Sequence, residues 1–434
     1  MSRFATNYGM LGVLLLICVY YSVRTIEDQH PTGKPAAKFL AGQICASGVE
    51  SAKVVIAIRR TEDESLFAET LKQLLEKNNI EVVDTVTGSP LDMRNALNQL
   101  IDNGRTVNIL ATVHGNAGVL ENIKEKIPAL SEAIILVPES HRFPTFLLRK
   151  NLLNVMNQIA VIAIVAVGMT MVIITGGIDL SVGSLVAFSA VAAAWLIRRA
   201  GGGEASATAV TGCCIAAIVL CGLVGAFTGT MVTRFTIPPF IVTLAVMQMA
   251  RGLAFLISEG QPIHQIPDSF TWLGRGAEPL FSIPYAVILM GIIYLAAHVM
   301  MSHTTLGRYI YAVGGNSEAA RLSGVRVYVI LVLVYTLTGL LAGVGGVVMA
   351  SQLKSGAPTF GDMYELYIIA AAVVGGASLK GGEGKVFGTL IGAFIIAVNN
   401  NGMNLTGVKS YNQYVVLGAV ILGAVLLDTL KKRK

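Results

Sequence analysis

Charged side chains are scarce in this chain. Asp, Glu, Lys and Arg make up 13% of 434 residues, about half the ~25% of an ordinary soluble chain, which excludes a protein soluble throughout. Cysteine is equally sparse. Of the five, Cys18, Cys213, Cys214 and Cys221 lie in apolar runs and Cys45 stands alone in a polar region. That spacing gives neither a metal site nor a disulfide framework, and the five read as small apolar side chains. No nucleophile with a partner base is apparent, so no catalytic residue is assigned. His298 and Glu365 are too isolated in their segments to form a proton relay. The net charge of +6 does not point to nucleic acid, because much of it lies at chain ends and in short loops, the distribution of the positive-inside rule.

Apolar residues and glycine are abundant instead. The chain is 54% hydrophobic and carries 46 glycines. Apolar runs near the ~20-residue bilayer length recur through its last two thirds. The first run, 8–23, is bracketed by Arg3 and Arg24 and is followed by no small-x-small cleavage site, so it reads as an uncleaved signal anchor. Nine further spans are expected near 152–175, 184–197, 208–232, 239–257, 282–301, 328–350, 365–377, 387–400 and 413–428. Those at 184–197, 365–377 and 387–400 are short, as tilted, broken or re-entrant segments are.

Between anchor and spans the composition is that of a soluble domain. Strands are expected at 53–60, 80–86, 107–113 and 133–137, and helices at 63–78, 90–101 and 117–130. Alternating strands and helices imply a parallel sheet covered on both faces. The fold class expected is therefore an α-helical polytopic membrane protein of about ten transmembrane helices, with an inserted small α/β doubly wound periplasmic domain. Its parts are an anchor (1–28), the insert (29–143), a transmembrane domain (144–430) and a basic cytoplasmic tail (431–434). Parity supports this. A cytoplasmic N-terminus puts Arg234, Lys380, Lys385, the tail and the loop holding Arg308, Arg321 and Arg326 inside, while Arg198 and Arg199 count against it.

Three segments stand out. In GGIDLSVGS (176–184) glycines let the backbone leave helical geometry, and Asp179 is a carboxylate at membrane depth, costly and rarely accidental. It is either a cap for the next helix or a solute contact, and both can hold. The loop TLGRYIYAVGGNSEAARLSGV (305–325) is amphipathic. Gly314 and Gly315 break it and Asn316 is placed to cap a short helix holding Glu318, Ala319 and Arg321; the segment is either a docking helix or an ordinary solvated loop. The third, 364–388, is glycine-dense, and its Gly382–Lys385 stretch imitates a phosphate loop. The imitation fails, because Leu379 stands at the first glycine position and Val386 where Ser or Thr must bind magnesium. Pairs such as Gly225/Gly229, Gly339/Gly343 and Gly388/Gly392 are expected to bring helices together, and Arg251 inside a span is expected to snorkel or find a polar partner.

The segments 168–184, 240–256, 306–325 and 364–393, in this order, resemble the permease subunits of bacterial ribose, xylose and galactose ABC importers, and the likeness runs from about 143 to 430. It implies a permease moving a monosaccharide or similar small polar solute into the cytoplasm by alternating access, in the inner membrane and surrounded by lipid. Its implied partners are cytoplasmic ABC ATPase subunits, a periplasmic sugar-binding protein and a second permease copy or paralogue. ATP and magnesium would belong to the partner ATPase, with no cofactor on this chain. The resemblance makes 303–327 the cytoplasmic coupling loop, with Gly314, Gly315, Asn316, Glu318, Ala319 and Arg321 toward the ATPase. An uncharged solute calls for polar groups along the path; Asp179, Asn399 and Asn400 are the candidates. The pattern is broken at Tyr367, where the family has an acid, so no solute-contact role passes to it. Residues 53–139 resemble one lobe of a periplasmic sugar-binding protein, either docking the separate binding protein or surviving as a relic. Alternatives are an ion-coupled secondary transporter, which needs an intramembrane relay, and a membrane-anchored solute receptor, which seldom needs ten spans.

Overall fold

The computed structural model describes residues 3–46 and 52–432. By packing, the chain divides into a unit Ile26–Thr145 and a helical unit made of the flanking residues. The anchor is one helix, α1 (Arg3–Arg24).

The unit Ile26–Thr145 runs β1 (Ile26–Gln29), α2 (Gly33–Ala46), β2 (Lys53–Ile58), α3 (Glu62–Lys77), β3 (Glu81–Thr87), α4 (Pro90–Asp102), β4 (Ile109–Ala111), α5 (His114–Lys126), β5 (Ile134–Leu136) and β6 (His141–Pro144). The four inner strands form a parallel sheet in the order β3-β2-β4-β5. The apolar run of β2 makes it a central strand, buried on both faces. Its Val54, Ile56 and Ile58 pack with Phe67, Leu71 and Leu75 on one side; Val55 and Ala57 pack with Met93, Leu97 and Leu120 on the other. Local signals set the helix starts. Thr61 accepts from Glu64 N ahead of α3, and Ser89 and Asp92 form a capping box before Pro90 in α4. Antiparallel pairing of β1 with β6 joins the unit's two ends. Helix α2 and this pair were not anticipated. The expected helix 117–130 is displaced: α5 ends at Lys126, and a 3-10 turn follows at Pro128–Leu130.

The helical unit continues with α6 (Arg149–Ile174), α7 (Val182–Arg199), α8 (Ala207–Arg234), α9 (Pro239–Ser258), α10 (Trp272–Arg275), α11 (Tyr285–His303), α12 (Thr305–Gly315), α13 (Ser317–Leu322), α14 (Val327–Leu353), α15 (Tyr364–Val374), α16 (Val386–Leu405) and α17 (Ser410–Lys432). Seven of these (α6, α7, α8, α9, α11, α14, α16) are long and apolar enough to cross a membrane, among the described residues. Gly9–Arg24 and α15 are shorter apolar helices. At 11 residues, α15 rises only about 16 Å against a hydrocarbon core of about 30 Å, so Gly375 and Gly376 cut the expected 365–377 span to a half-helix. Arg433 and Lys434 of the basic tail lie outside the described residues.

Helix α6 is central and buried from Ile159 to Ile174. The glycine pairs act at helix contacts: Gly339 of α14 lies on the Cys221 carbonyl and the Gly225 Cα of α8, and Gly392 of α16 lies on the Ala371 carbonyl of α15.

Candidate functional site

Helix α12 begins where Thr304 Oγ1 accepts from Gly307 N. Its Ile310 and Val313 are buried, and its last turn meets two other elements. Gly314 lies on the Ile174 carbonyl at the end of α6 and beside Gly382 N, leaving no room for a Cβ. Gly382 N donates to that same Ile174 carbonyl at 2.8 Å, and the Tyr311 hydroxyl donates to Gly384 O at 2.7 Å. Gly381 and Gly382 hold φ of +84° and +76°, a region glycine enters without strain. The end of α6, the last turn of α12 and the loop before α16 thus form one junction. The segment that imitated a phosphate loop is occupied by this packing.

Beyond the junction the chain turns outward. The Asn316 side chain accepts from Ala319 N at 2.9 Å and caps α13, as its position in the sequence predicts. Gly315, Asn316, Glu318, Ala319 and Arg321 are exposed, while Ala320 faces inward. Arg321 Nη2 pairs with Glu318 Oε1 at 2.6 Å. Its hydrogen bond and charge hold the Glu318 carboxyl below the usual range. Leu322 is 75% exposed at the end of α13. Five of the six residues expected in the coupling loop therefore share an outward face, whereas Gly314 packs inward. Tyr311 and Leu322 were missed. Only the amphipathic spacing of 305–325 signalled Tyr311, and nothing in the sequence signalled Leu322.

The break after α6 is also satisfied locally. Asp179 is buried, and its Oδ1 accepts from Ser181 N at 2.9 Å and Ser181 Oγ at 2.6 Å. Thr243 Oγ1 of α9 donates to Ile178 O. Asp179 therefore closes the turn leading into α7. Ser181, at the cap position itself, makes no side-chain cap bond. The buried Tyr335 hydroxyl of α14 lies against Gly177 and has no hydrogen-bond partner among the described residues.

Three consecutive asparagines near the end of α16 have three different surroundings. Asn399 Oδ1 accepts from the Tyr21 hydroxyl of α1 at 3.0 Å. Asn401 and Asn151 of α6 exchange amide hydrogen bonds at 2.9 and 3.0 Å. Asn400 lines a cavity of about 200 Å³ between α6, α15 and α16, together with Gln158, Tyr364 and Tyr367. The structure brings neither Asp179 nor Asn399 to that cavity lining, and it adds Tyr367, for which no solute-contact role is expected. Arg251 of α9 holds the approach to α15. Its Nη1 donates to Pro358 O and Phe360 O, both at 2.7 Å, and Met363 enters the helix at φ +61°.

The model of the family described as branched-chain amino acid transport system, permease component, matches residues 151–425. The chain belongs to this permease family. Among its relatives, the permease is 44% identical over 314 residues to the ribose import permease protein of Escherichia coli, covering 71% of this chain and 95% of that protein. It is 41% identical over 312 residues to the ribose import permease protein of Bacillus subtilis, covering 72% and 95%. It is 36% identical over 298 residues to the galactose/methyl galactoside import permease protein of Escherichia coli, covering 66% and 89%. No solved structure matches the permease. The unit Ile26–Thr145 lies outside the residues that the family model matches.

Proposed function

We propose that this permease is the membrane-spanning subunit of an ATP-driven importer that carries a monosaccharide, or a similar small neutral solute, inward by alternating access. The observation that carries this reading is the junction at Gly314. The exposed helix α13, with a paired Glu318 and Arg321 and a bare Leu322, follows directly on α12, whose Gly314 packs on the end of α6, the most buried span. A partner that pushes on α13 acts on α6 through α12.

Partner ABC ATPases dock on 315–324 from the cytoplasm and supply the ATP and magnesium. A second permease copy or paralogue completes the passage in the inner membrane. With a cytoplasmic N-terminus, the six helices α1, α6, α7, α8, α9 and α11 that precede residue 303 each cross once, which leaves 303–327 inside and the unit Ile26–Thr145 in the periplasm. That unit receives the separate sugar-binding protein. Its sheet order changes direction between β2 and β4, and the crevice there, lined by Thr61, Glu64 and His114, opens at the carboxyl ends of the strands, where doubly wound sheets bind ligands. Among the described residues no second lobe faces that edge, which is bordered by the segment of His30, Pro31 and Thr32, so a docked protein suits it better than a trapped sugar.

Orientation tests the reading. Ser317→Cys, in a background with Cys45→Ser, is predicted to resist an impermeant thiol reagent on intact cells and to react in inverted vesicles. Labelling on intact cells would put the docking face outside and end the proposal.

A further inference from the structure

The permease family includes carriers described for amino acids as well as relatives described for sugars, and the cavity between α6, α15 and α16 distinguishes the two chemistries. Four polar side chains border it, Gln158, Tyr364, Tyr367 and Asn400, over an aliphatic floor that includes Ile159 and Ile162. None of the residues lining it is charged. An amino acid zwitterion brings an ammonium and a carboxylate, and each needs a counter-charge or several hydrogen bonds to leave water. A sugar hydroxyl both donates and accepts, as do the side-chain amides of Gln158 and Asn400. Tyr364 and Tyr367 stand edge to face, at 84° with centroids 6.4 Å apart, and both line the cavity, adding aromatic surface suited to the C–H side of a sugar ring. The cavity volume of about 200 Å³ accommodates one ring.

The walls also lead to the coupling junction. Ile162 and Ile174 are 12 residues apart on α6, about 18 Å along its axis, and Ile174 carries the contacts to Gly314 and Gly382. Helix α16 starts at Val386, directly after the docked loop, and brings Asn400 to the cavity at its far end. Two of the three walls are therefore rigid rods whose other ends meet α12.

We infer that this cavity is the solute station of the transport path, taking one uncharged polyhydroxylated ring and rejecting amino acids. The inference rests on the importer reading above and names its solute contacts. It is tested with the full-length permease in proteoliposomes with its partner ATPase and binding protein. Gln158→Leu and Asn400→Leu are expected to raise the KM for uptake of D-ribose or D-galactose, whichever the parent carries, at least about tenfold. ATP hydrolysis stimulated by the binding protein should persist, which reports a folded and coupled assembly. Independently, Asn400→Cys and Gln158→Cys are expected to react with a small thiol reagent more slowly in the presence of the transported sugar and at an unchanged rate with L-leucine. Unchanged KM values, or labelling indifferent to a sugar that the parent transports, overturns the cavity while leaving the importer standing. A parent that transports neither sugar but carries L-leucine overturns both.

Discussion

Gly314 and Ile174 are in direct backbone contact, the glycine Cα resting on the carbonyl that also receives the Gly382 amide. A methyl group on residue 314 has nowhere to go, because its neighbours are backbone. Gly314→Ala is therefore expected to pry α12 from α6, at an overpacking cost of about 1–3 kcal/mol. Transport should fall at least about tenfold. Gly315, the next residue, has open space where a Cβ would stand, and Gly315→Ala should leave the thermal stability of the detergent-solubilised permease unchanged. Equal melting temperatures for the two variants would contradict the junction.

The Glu318–Arg321 pair is exposed on both sides, and such pairs contribute little to folding. Reversing it with Glu318→Arg and Arg321→Glu should keep the permease intact by size-exclusion chromatography. Leu322→Asp should be tolerated in the same way. All three changes alter the face offered to the ATPase. Co-purification of the ATPase should drop with Leu322→Asp most of all, since a docked partner would bury an apolar side chain in the parent and an unpaired carboxylate in the variant. Retention of the ATPase by every variant would place its docking surface elsewhere.

Asp179 separates a turn-former from a proton carrier. Its observed role is to accept two hydrogen bonds from Ser181, which an amide oxygen also does. Asp179→Asn should retain most uptake activity and Asp179→Ala should lose it. Complete loss in the Asn variant would instead support an ion-coupled mechanism. The neighbouring Tyr335 hydroxyl is buried with no hydrogen-bond partner among the described residues, a state that costs roughly 1–3 kcal/mol, so Tyr335→Phe should raise the melting temperature.

The unit Ile26–Thr145 has a core on each face of its sheet and should fold as a fragment. Isothermal titration with common pentoses and hexoses should find no micromolar binding, because no second lobe closes over the ligand edge. Its acid limb is also specified. Hydrogen bonds from the Ser89 backbone N–H and hydroxyl hold the Asp92 carboxyl below the usual range. The folded value then lies below the unfolded ~3.9. The stabilisation is complete above that value and disappears as pH falls through the lower folded one. Ser89→Ala should lower the fragment's melting temperature most near neutral pH and less in strong acid, where only the loss of the cap hydrogen bond from Asp92 N remains.

Much of this architecture is legible in the residues. Long apolar runs cannot be satisfied except as buried or lipid-facing helices, so α6, α8, α9 and α14 lie within a few residues of their expected bounds. The pattern of Asn316 followed by Glu318 and Arg321 announced its short capped helix. Other features depend on partners remote in sequence. Asn399, Asn400 and Asn401 differ by one helical step each, about 100°, and only Tyr21, Tyr367 and Asn151 on other helices decide which of them faces the cavity. The shortness and glycines of 365–377 allow a break, and α15 ends at Val374 with Gly375 as its cap. Helix α2, between the anchor and the first central strand, carries the same helical spacing in its buried Ala36, Ala37, Leu40, Ala41 and Ile44.

Uptake of labelled sugar into proteoliposomes is the most direct trial of an ATP-driven monosaccharide importer. With the partner ATPase and binding protein present, accumulation should require ATP on the ATPase side and continue after an uncoupler collapses the proton gradient. Accumulation that survives ATP depletion but stops with the uncoupler would contradict it.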